Sequence, residues 1–443
     1  MKLSFHGGAR EVTGACYLFE TAKTKILVDC GLFQGCDEYA DMNFADFKFN
    51  PREIDALFVT HAHIDHVGRI PKLVREGFSG KIYSTPPTRD IAALLLEDAL
   101  SLAKREEREL FTQNDLGKTL SLWEEVPYHT DIEVGDMRAR LDEAGHILGS
   151  ALVEIRAEGK HLLFSGDLGN APSEFLPEPD RVRGVEYLVV ESTYGNREHE
   201  SAEERVQSLE RAVEDVTARR GTLLIPAFAT ERTQDVLFLL NRMLFEKRIP
   251  EIPVFVDSPL AIRVTNVFEK YPLYYKKEIQ SLFKDYPYLF KFKKLRMTET
   301  VEESKAINDV PPPKVVIAGS GMMQGGRILH HLRRHLSDSN SILLVVGYQA
   351  AGSLGRRLID RAKIVKIFRE EVPVWAEVRK INGFSAHADN PQLFSFVSSN
   401  RDTLKKVFVV QGEEAQALHL MQEVKDQLGI YAEAPVLYDT FEI

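Results

Sequence analysis

The chain has 443 residues, 44% of them hydrophobic and 28% charged, the balance of an ordinary soluble globular protein with room for two domains. Its formal net charge of -10 argues against wholesale coating of a polyanion, though a local basic groove is compatible with it. No apolar run approaches a membrane span, and the N-terminus MKLSFHGGAREVTG has no apolar signal region, so a cytoplasmic protein without membrane contact is expected.

Short apolar runs that end in small or polar residues recur along the chain. ILVDCG (26–31), ALFVTHAH (56–63), LLFSGD (162–167) and YLVVEST (187–193) come first. LLIPAFA (223–229), VFVDSP (254–259), VVIAGSG (315–321), LLVVGYQ (343–349) and VFVVQGE (407–413) follow. Each reads as a buried strand. Helical patterns lie between many of them, at Pro86 to Leu110 and at Ser201 to Arg220, where Val206, Leu209, Val213 and Val216 share one face. Strands alternating with helices indicate an α/β protein. Tyr271 to Arg296 mixes lysines with aromatics, which suits either a packing segment or a grip on single-stranded nucleic acid, and the packing segment is favoured. Pro311 to Pro313 is a short stiff connector. Cys16, Cys30 and Cys36 lack C-x-x-C spacing and read as reduced thiols.

The densest chemistry lies in THAHIDHVG (60–68). His61 and His63 follow a strand two residues apart, so both imidazoles reach one ion. Asp65 and His66 open a helix and point at a neighbouring position. Four donors at this spacing indicate a metal site. Further donors are expected at other strand ends: His146 in AGHILGSA and Asp167 in LLFSGDLG. An aspartate ending an apolar strand is costly unless paired or coordinated. Asp29 in ILVDCG is either a ligand or a carboxylate that orients a ligand histidine from behind, and the second role is favoured.

H-x-H-x-D-H followed by a distant His and a distant Asp resembles the metallo-β-lactamase fold. ESTYG (191–195), PAFATERTQ (226–234), DSPLA (257–261), SGMMQGGR (320–327), GYQAAGSLGRR (347–357) and NGFSAHAD (382–389) narrow this further. Over nearly the whole chain it resembles the β-CASP nucleases, which include ribonuclease J and the cleavage nuclease of the polyadenylation machinery. The resemblance implies an αββα sandwich, residues 1–196 and 391–443, interrupted by an α/β β-CASP domain, residues 197–390, with the active site in the cleft between them. It implies two zinc ions. His61, His63 and His146 would hold one, Asp167 would bridge, and Asp65 and His66 would hold most of the other. Asp65 is also counted among the catalytic residues. A metal-activated hydroxide would attack phosphorus. His387 would protonate the leaving oxygen, supported by Glu191. Ser320, Gly321 and Arg327, in a glycine-rich turn before a helix, would contact the substrate phosphate. His330, His331 and His335 read as a solvated helix face.

One position departs from the family pattern. Where the family places a last histidine ligand, this chain has Gln411, whose neutral amide oxygen is a weaker donor. A looser second ion, or a harder one such as manganese, is expected. His419 lies too far along the chain to replace it. The implied activity is metal-dependent hydrolysis of single-stranded RNA, by a monomer or a homodimer. The alternatives are a DNA-processing nuclease and a catalytically weakened scaffold that binds RNA or a partner.

Overall fold

The computed structural model describes residues 1–35, 41–285, 288–347, 349, 352–381 and 383–443. Cys36, Tyr286, Pro287, Asn382 and three residues of the GYQAAGSLGRR motif (348, 350 and 351) lie outside them. The chain forms two compact units, Met1–Glu198 with His387–Ile443, and His199–Ala386. The motifs put the joins at 196/197 and 390/391. The second join falls earlier, and His387 belongs to the first unit.

The first unit opens with β1 (Lys2–Phe5), β2 (Tyr17–Glu20) and β3 (Lys25–Val28), an antiparallel meander. β4 (Ala56–Phe58), β5 (Lys81–Ser84) and β6 (Trp123–Glu125) then add in parallel. Helices carry the crossovers from β4 to β5 and from β5 to β6, as parallel pairing requires. The helix Pro86–Arg105 starts where the Thr85 hydroxyl accepts the Thr88 N–H, with Pro86 pre-set for the first turn. A second sheet begins with β7 (Asp131–Val134), β8 (Met137–Glu143), β9 (Ala151–Ala157) and β10 (Lys160–Phe164), all antiparallel. In β8, Met137, Ala139 and Leu141 are buried while Arg138 and Arg140 reach outward, the period of two of a one-sided strand. β11 (Tyr187–Glu191) joins β10 in parallel.

The second unit is built on β12 (Thr222–Pro226), β13 (Val254–Asp257), β14 (Leu295–Met297), β15 (Lys314–Ala318), β16 (Ile342–Val345) and β19 (Glu377–Lys380). Their order is β14-β13-β15-β12-β16-β19, and every pair is parallel. A small hairpin, β17 (Ile364–Ile367) and β18 (Glu370–Pro373), stands apart from that sheet. The helix Ala202–Arg219 is started by a reciprocal capping box between Ser201 and Glu204 and buries Val206, Leu209, Val213 and Val216. In the lysine-rich stretch, Tyr275 and Phe290 are buried and Tyr288 is exposed. The Tyr275 hydroxyl donates to the Phe268 carbonyl, so the segment packs as well as solvates.

The chain then returns to the first unit with β20 (Lys406–Val410), β21 (Tyr431–Glu433) and β22 (Thr440–Glu442). β20 lies parallel to β11, with Val190 opposite Val409. β22 pairs with β1. Two seven-stranded sheets result, β22-β1-β2-β3-β4-β5-β6 and β21-β20-β11-β10-β9-β8-β7. One apolar cluster joins their faces: Phe5, Phe19, Val28 and Phe58 meet Leu141, Val153, Phe164, Val189 and Phe408. On the other face of the second sheet, helices Asn390–Ser398 and Glu414–Glu423 bury Leu393, Val397, Ala417 and Leu420. All nine apolar runs contain a strand: β3, β4, β10, β11, β12, β13, β15, β16 and β20. No helix among the described residues is long and apolar enough to cross a membrane.

Candidate metal centre

Parallel strands of the first unit end together and aim their last side chains at one place. Asp29 follows β3, His61 and His63 follow β4, Asp167 follows β10, Glu191 ends β11 and Gln411 follows β20. His146 comes from the turn between β8 and β9, where the Ser150 hydroxyl accepts the His146 N–H at 3.0 Å.

His61, His63, His146 and Asp167 form a cluster of donor atoms. His61 Nε2 lies 3.0 Å from His63 Nδ1 and 3.4 Å from Asp167 Oδ2. His146 Nε2 lies 3.2 Å from His63 Nδ1 and 3.6 Å from Asp167 Oδ2. A tetrahedral zinc with bonds of about 2.1 Å holds its donors roughly 3.4 Å apart, so the spacing fits a divalent metal. The protonation states fit too. Burial holds His63 and His146 well below the ordinary histidine range, which keeps them neutral ligands. The Thr60 hydroxyl donates to Asp29 Oδ2 at 2.8 Å, so at His61 Nδ1, 3.1 Å away, it accepts. That puts the proton of His61 on Nδ1 and leaves the Nε2 lone pair facing the cluster. Burial works to raise Asp167, but His66, His61 and His387 together hold its carboxyl well below the usual carboxylate range.

Asp65 and His66 sit beside this group. His66 Nε2 is 3.4 Å from Asp167 Oδ1 and 3.8 Å from Asp65 Oδ2. Its other nitrogen, Nδ1, lies 2.7 Å from Asp29 Oδ2, and Asp29 also accepts the Thr60 N–H at 2.8 Å. Asp29 thus faces the rear of His66 and is held away from the donor cluster. Gln411 closes the group in an unexpected way. Its Nε2 lies 3.1 Å from both the Val12 carbonyl and Asp65 Oδ2, and 3.0 Å from His66 Nε2. Two oxygens at that distance require a donor, so the amide turns its NH₂ to the site and its oxygen away. His66 stands between Asp65 and Asp167, and Gln411 in this orientation offers that group hydrogens in place of a lone pair. His419 is exposed on the helix Glu414–Glu423.

His387 stands on the other side. It forms a single bridge with Gly169, and the Ala388 N–H donates to the Leu168 carbonyl at 2.8 Å. His387 Nδ1 is 3.2 and 3.1 Å from the two oxygens of Glu191, and 3.8 Å from Asp167 Oδ2. Glu191 is wholly buried and is held in turn by the Leu168 N–H at 2.6 Å. Burial lowers His387, but Glu191 and then Asp167 outweigh it and raise its pKa to about 9.

Ser320, Gly321 and Arg327 lie in the second unit. The turn closes largely on itself: Ser320 N donates to the Gly325 carbonyl, Met323 N to the Ser320 carbonyl, and Gly325 N to the Ser320 hydroxyl. Gly321 leaves room for the Phe228 ring, which a Cβ would meet at 2.6 Å. Arg327 donates to Asp257 Oδ1 at 2.7 Å, the Thr298 carbonyl at 3.0 Å and the Glu299 carbonyl at 2.6 Å. The guanidinium fastens the turn to β13. The solvated-face reading of the following histidines needs correction at His331, which is buried with Nε2 2.7 Å from Asp257 Oδ2. Sequence reasoning also passed over Thr60, which stands inside THAHIDHVG; its role depends on meeting Asp29, a contact that no local spacing reveals.

Residues 9–221 match the metallo-beta-lactamase superfamily, 233–358 the Beta-Casp domain, and 371–435 the Zn-dependent metallo-hydrolase RNA specificity domain. The chain is 39% identical to ribonuclease TTHA0252 of Thermus thermophilus over 95% of each chain. It is 30% identical to an RNase J-like protein of Methanocaldococcus jannaschii over 98% of each chain. To transcription termination factor FttA of the same organism it is 33% identical, over 100% of this chain and 72% of that one. A crystal structure of a protein of unknown function from Enterococcus faecalis V583 shares the fold, with a TM-score of 0.59, 12% identity and 99% of each chain covered. Fold and site define a metallo-β-lactamase-type hydrolase with an inserted β-CASP domain. The chain belongs to the β-CASP family of metallo-β-lactamase-fold nucleases.

Proposed function

We propose that this chain is a metal-dependent ribonuclease that hydrolyses phosphodiester bonds in single-stranded RNA, in the cytoplasm. The observation that carries the reading is the pairing of two devices. A three-histidine, one-aspartate cluster lies beside a histidine charged by a buried glutamate, 3.8 Å from the shared Asp167. A protein that only stores metal has no use for the second device. The names of the relatives and the RNA specificity domain point to RNA as the substrate.

His61, His63, His146 and Asp167 would hold zinc, which favours such an imidazole-rich set. Asp65 and His66, with Asp167 shared, would hold a second ion more weakly, because Gln411 offers hydrogens there. That more oxygen-rich set also suits manganese. When bound, a divalent metal lowers the pKa of a coordinated water and neutralises charge developing on phosphate oxygens. Asp29 and Thr60 fix the faces of His66 and His61. Glu191 takes the Nδ1 proton of His387 in a hydrogen bond and keeps the ring charged. His387 Nε2 then hands its proton to the leaving oxygen of the ribose.

Labelled single-stranded RNA and DNA of one sequence, incubated with and without chelator and with zinc or manganese restored, test this. RNA cleavage that chelation abolishes and metal restores is expected. RNA bound but uncut under every divalent metal would mark a scaffold, and cleavage confined to DNA would mark a DNA-processing enzyme.

A further inference from the structure

The register between β2 and β3 changes at Asp29. Within the strands Tyr17 faces Val28 and Leu18 faces Leu27. Just beyond, Gly31 N donates to the Ala15 carbonyl at 2.8 Å, so the pairing has slipped by one residue. Asp29, with φ of 60°, is the extra residue of a bulge. Cys16 therefore faces Cys30. Their backbone groups bond elsewhere: the Cys16 carbonyl accepts the His6 N–H at 2.8 Å, and Cys30 N donates to the His66 carbonyl at 2.9 Å. This is a non-hydrogen-bonded cross-strand pair, the kind that brings side chains closest. Both thiols are buried and unoxidised. Such pairs hold their Cβ atoms about 4.5–5.5 Å apart, against about 3.8 Å in a disulfide. Closure needs a shift on the order of 1 Å.

We propose that Cys16 and Cys30 form a reversible oxidation site, a dithiol that hydrogen peroxide closes to a cross-strand disulfide and a reductant reopens, loosening the hold of Asp29 on His66. One of the two sulfurs, as its thiolate, attacks one peroxide oxygen, the O–O bond breaks, and the departing hydroxide is protonated to water. A sulfenic acid remains on that cysteine. The other sulfur displaces that oxygen, the S–S bond forms, and a second water leaves. Two thiols thus give up two electrons and two protons to one peroxide. Burial keeps bulky oxidants out.

The bulge residue Asp29 lies next to Cys30 and opposite Cys16. Drawing the two strands together at that point displaces the carboxylate that holds His66 Nδ1 at 2.7 Å, and the His66 carbonyl that accepts from Cys30. This consequence rests on the nuclease reading of His66 as a ligand; the disulfide itself does not.

The full metal-loaded chain is treated with hydrogen peroxide, quenched, digested and mapped by mass spectrometry, with parallel assays of RNA cleavage and of zinc released to a chelating dye. Free thiols are expected to fall from three to one per chain. A peptide linking Cys16 to Cys30 appears and dithiothreitol removes it, while the Cys16→Ala chain forms no such link. Cleavage falls roughly tenfold, zinc is released, and both changes reverse on reduction. Unchanged thiols, a link through Cys36, or oxidation that stops at sulfinic acid overturns the site. A clean Cys16–Cys30 link with zinc and rate unaltered overturns its coupling to His66. A chain inactive before oxidation that still forms the link counts against the nuclease reading alone.

Discussion

Glu191 presents both carboxylate oxygens to one ring nitrogen of His387, and that contact sets when the histidine can give a proton. The charged ring is present below about 9 and is lost as pH rises through that value, so cleavage by the native chain should decline on the alkaline side. In Glu191→Gln the decline should move to lower pH and the maximal rate should drop by about 10²–10³, with bound metal unchanged, as pH–rate profiles and metal analysis would record. An unaltered profile would remove His387 from proton transfer. At Gln411 the expected change is a gain. Gln411→His replaces a donor NH₂ by an imidazole lone pair, and the metal-to-protein ratio after dialysis should rise. An unchanged ratio would take this position out of the metal environment. His61 and His63 were legible in sequence because alternate residues of extended chain share a side. The turned amide of Gln411 was not, since it depends on the Val12 carbonyl, which lies far away in the chain.

Asp257, at the C-terminal end of β13, gathers the Thr298, Ser304, Arg327 and His331 side chains around one buried carboxylate. Burial would raise it, but these hydrogen bonds hold it at about 2. Its folded value is depressed, so its stabilisation is complete above the usual 3.8 and is lost as pH falls toward about 2. Arg327→Ala should cost about 2 kcal/mol and bring acid unfolding to higher pH, both read by denaturant and pH titration of circular dichroism. RNA affinity should stay as it was. An affinity loss without a stability loss would mark Arg327 as a substrate contact. The glycines before the helix Ile328–His335 suggested a phosphate cradle because glycine density before a helix is how such cradles are written. The fold gives them another reason, room for Phe228 beside Gly321. Strands were legible wherever both faces are buried, as in β11 and β15, because such strands read as unbroken apolar runs. The bulge at Asp29 left no local mark, since Asp29 is not a glycine and its positive φ answers to Thr60 and His66.

Across the whole chain, the first unit is assembled from two distant stretches. β20 completes a sheet by pairing with β11 across all of His199–Ala386, and β22 covers the edge at β1. A chain ended at Ala386 would leave β11 and β1 with open edges, and it should be insoluble or melt without cooperativity, as sedimentation and thermal circular dichroism would report. A soluble truncated chain with a sharp transition would show that the early strands suffice. The order of the αββα layers was legible only through the motifs, because nothing local tells β11 that its neighbour is β20. That pairing also carries a message in time. His61, His63, His146 and Asp167 all leave the ribosome before the insertion, and His387 leaves after it. A half-made chain has the metal donors but neither β20 to complete their sheet nor the acid to release a product. In the reading proposed for this protein, the cleavage site is therefore complete only once the stretch beyond the insertion has been made.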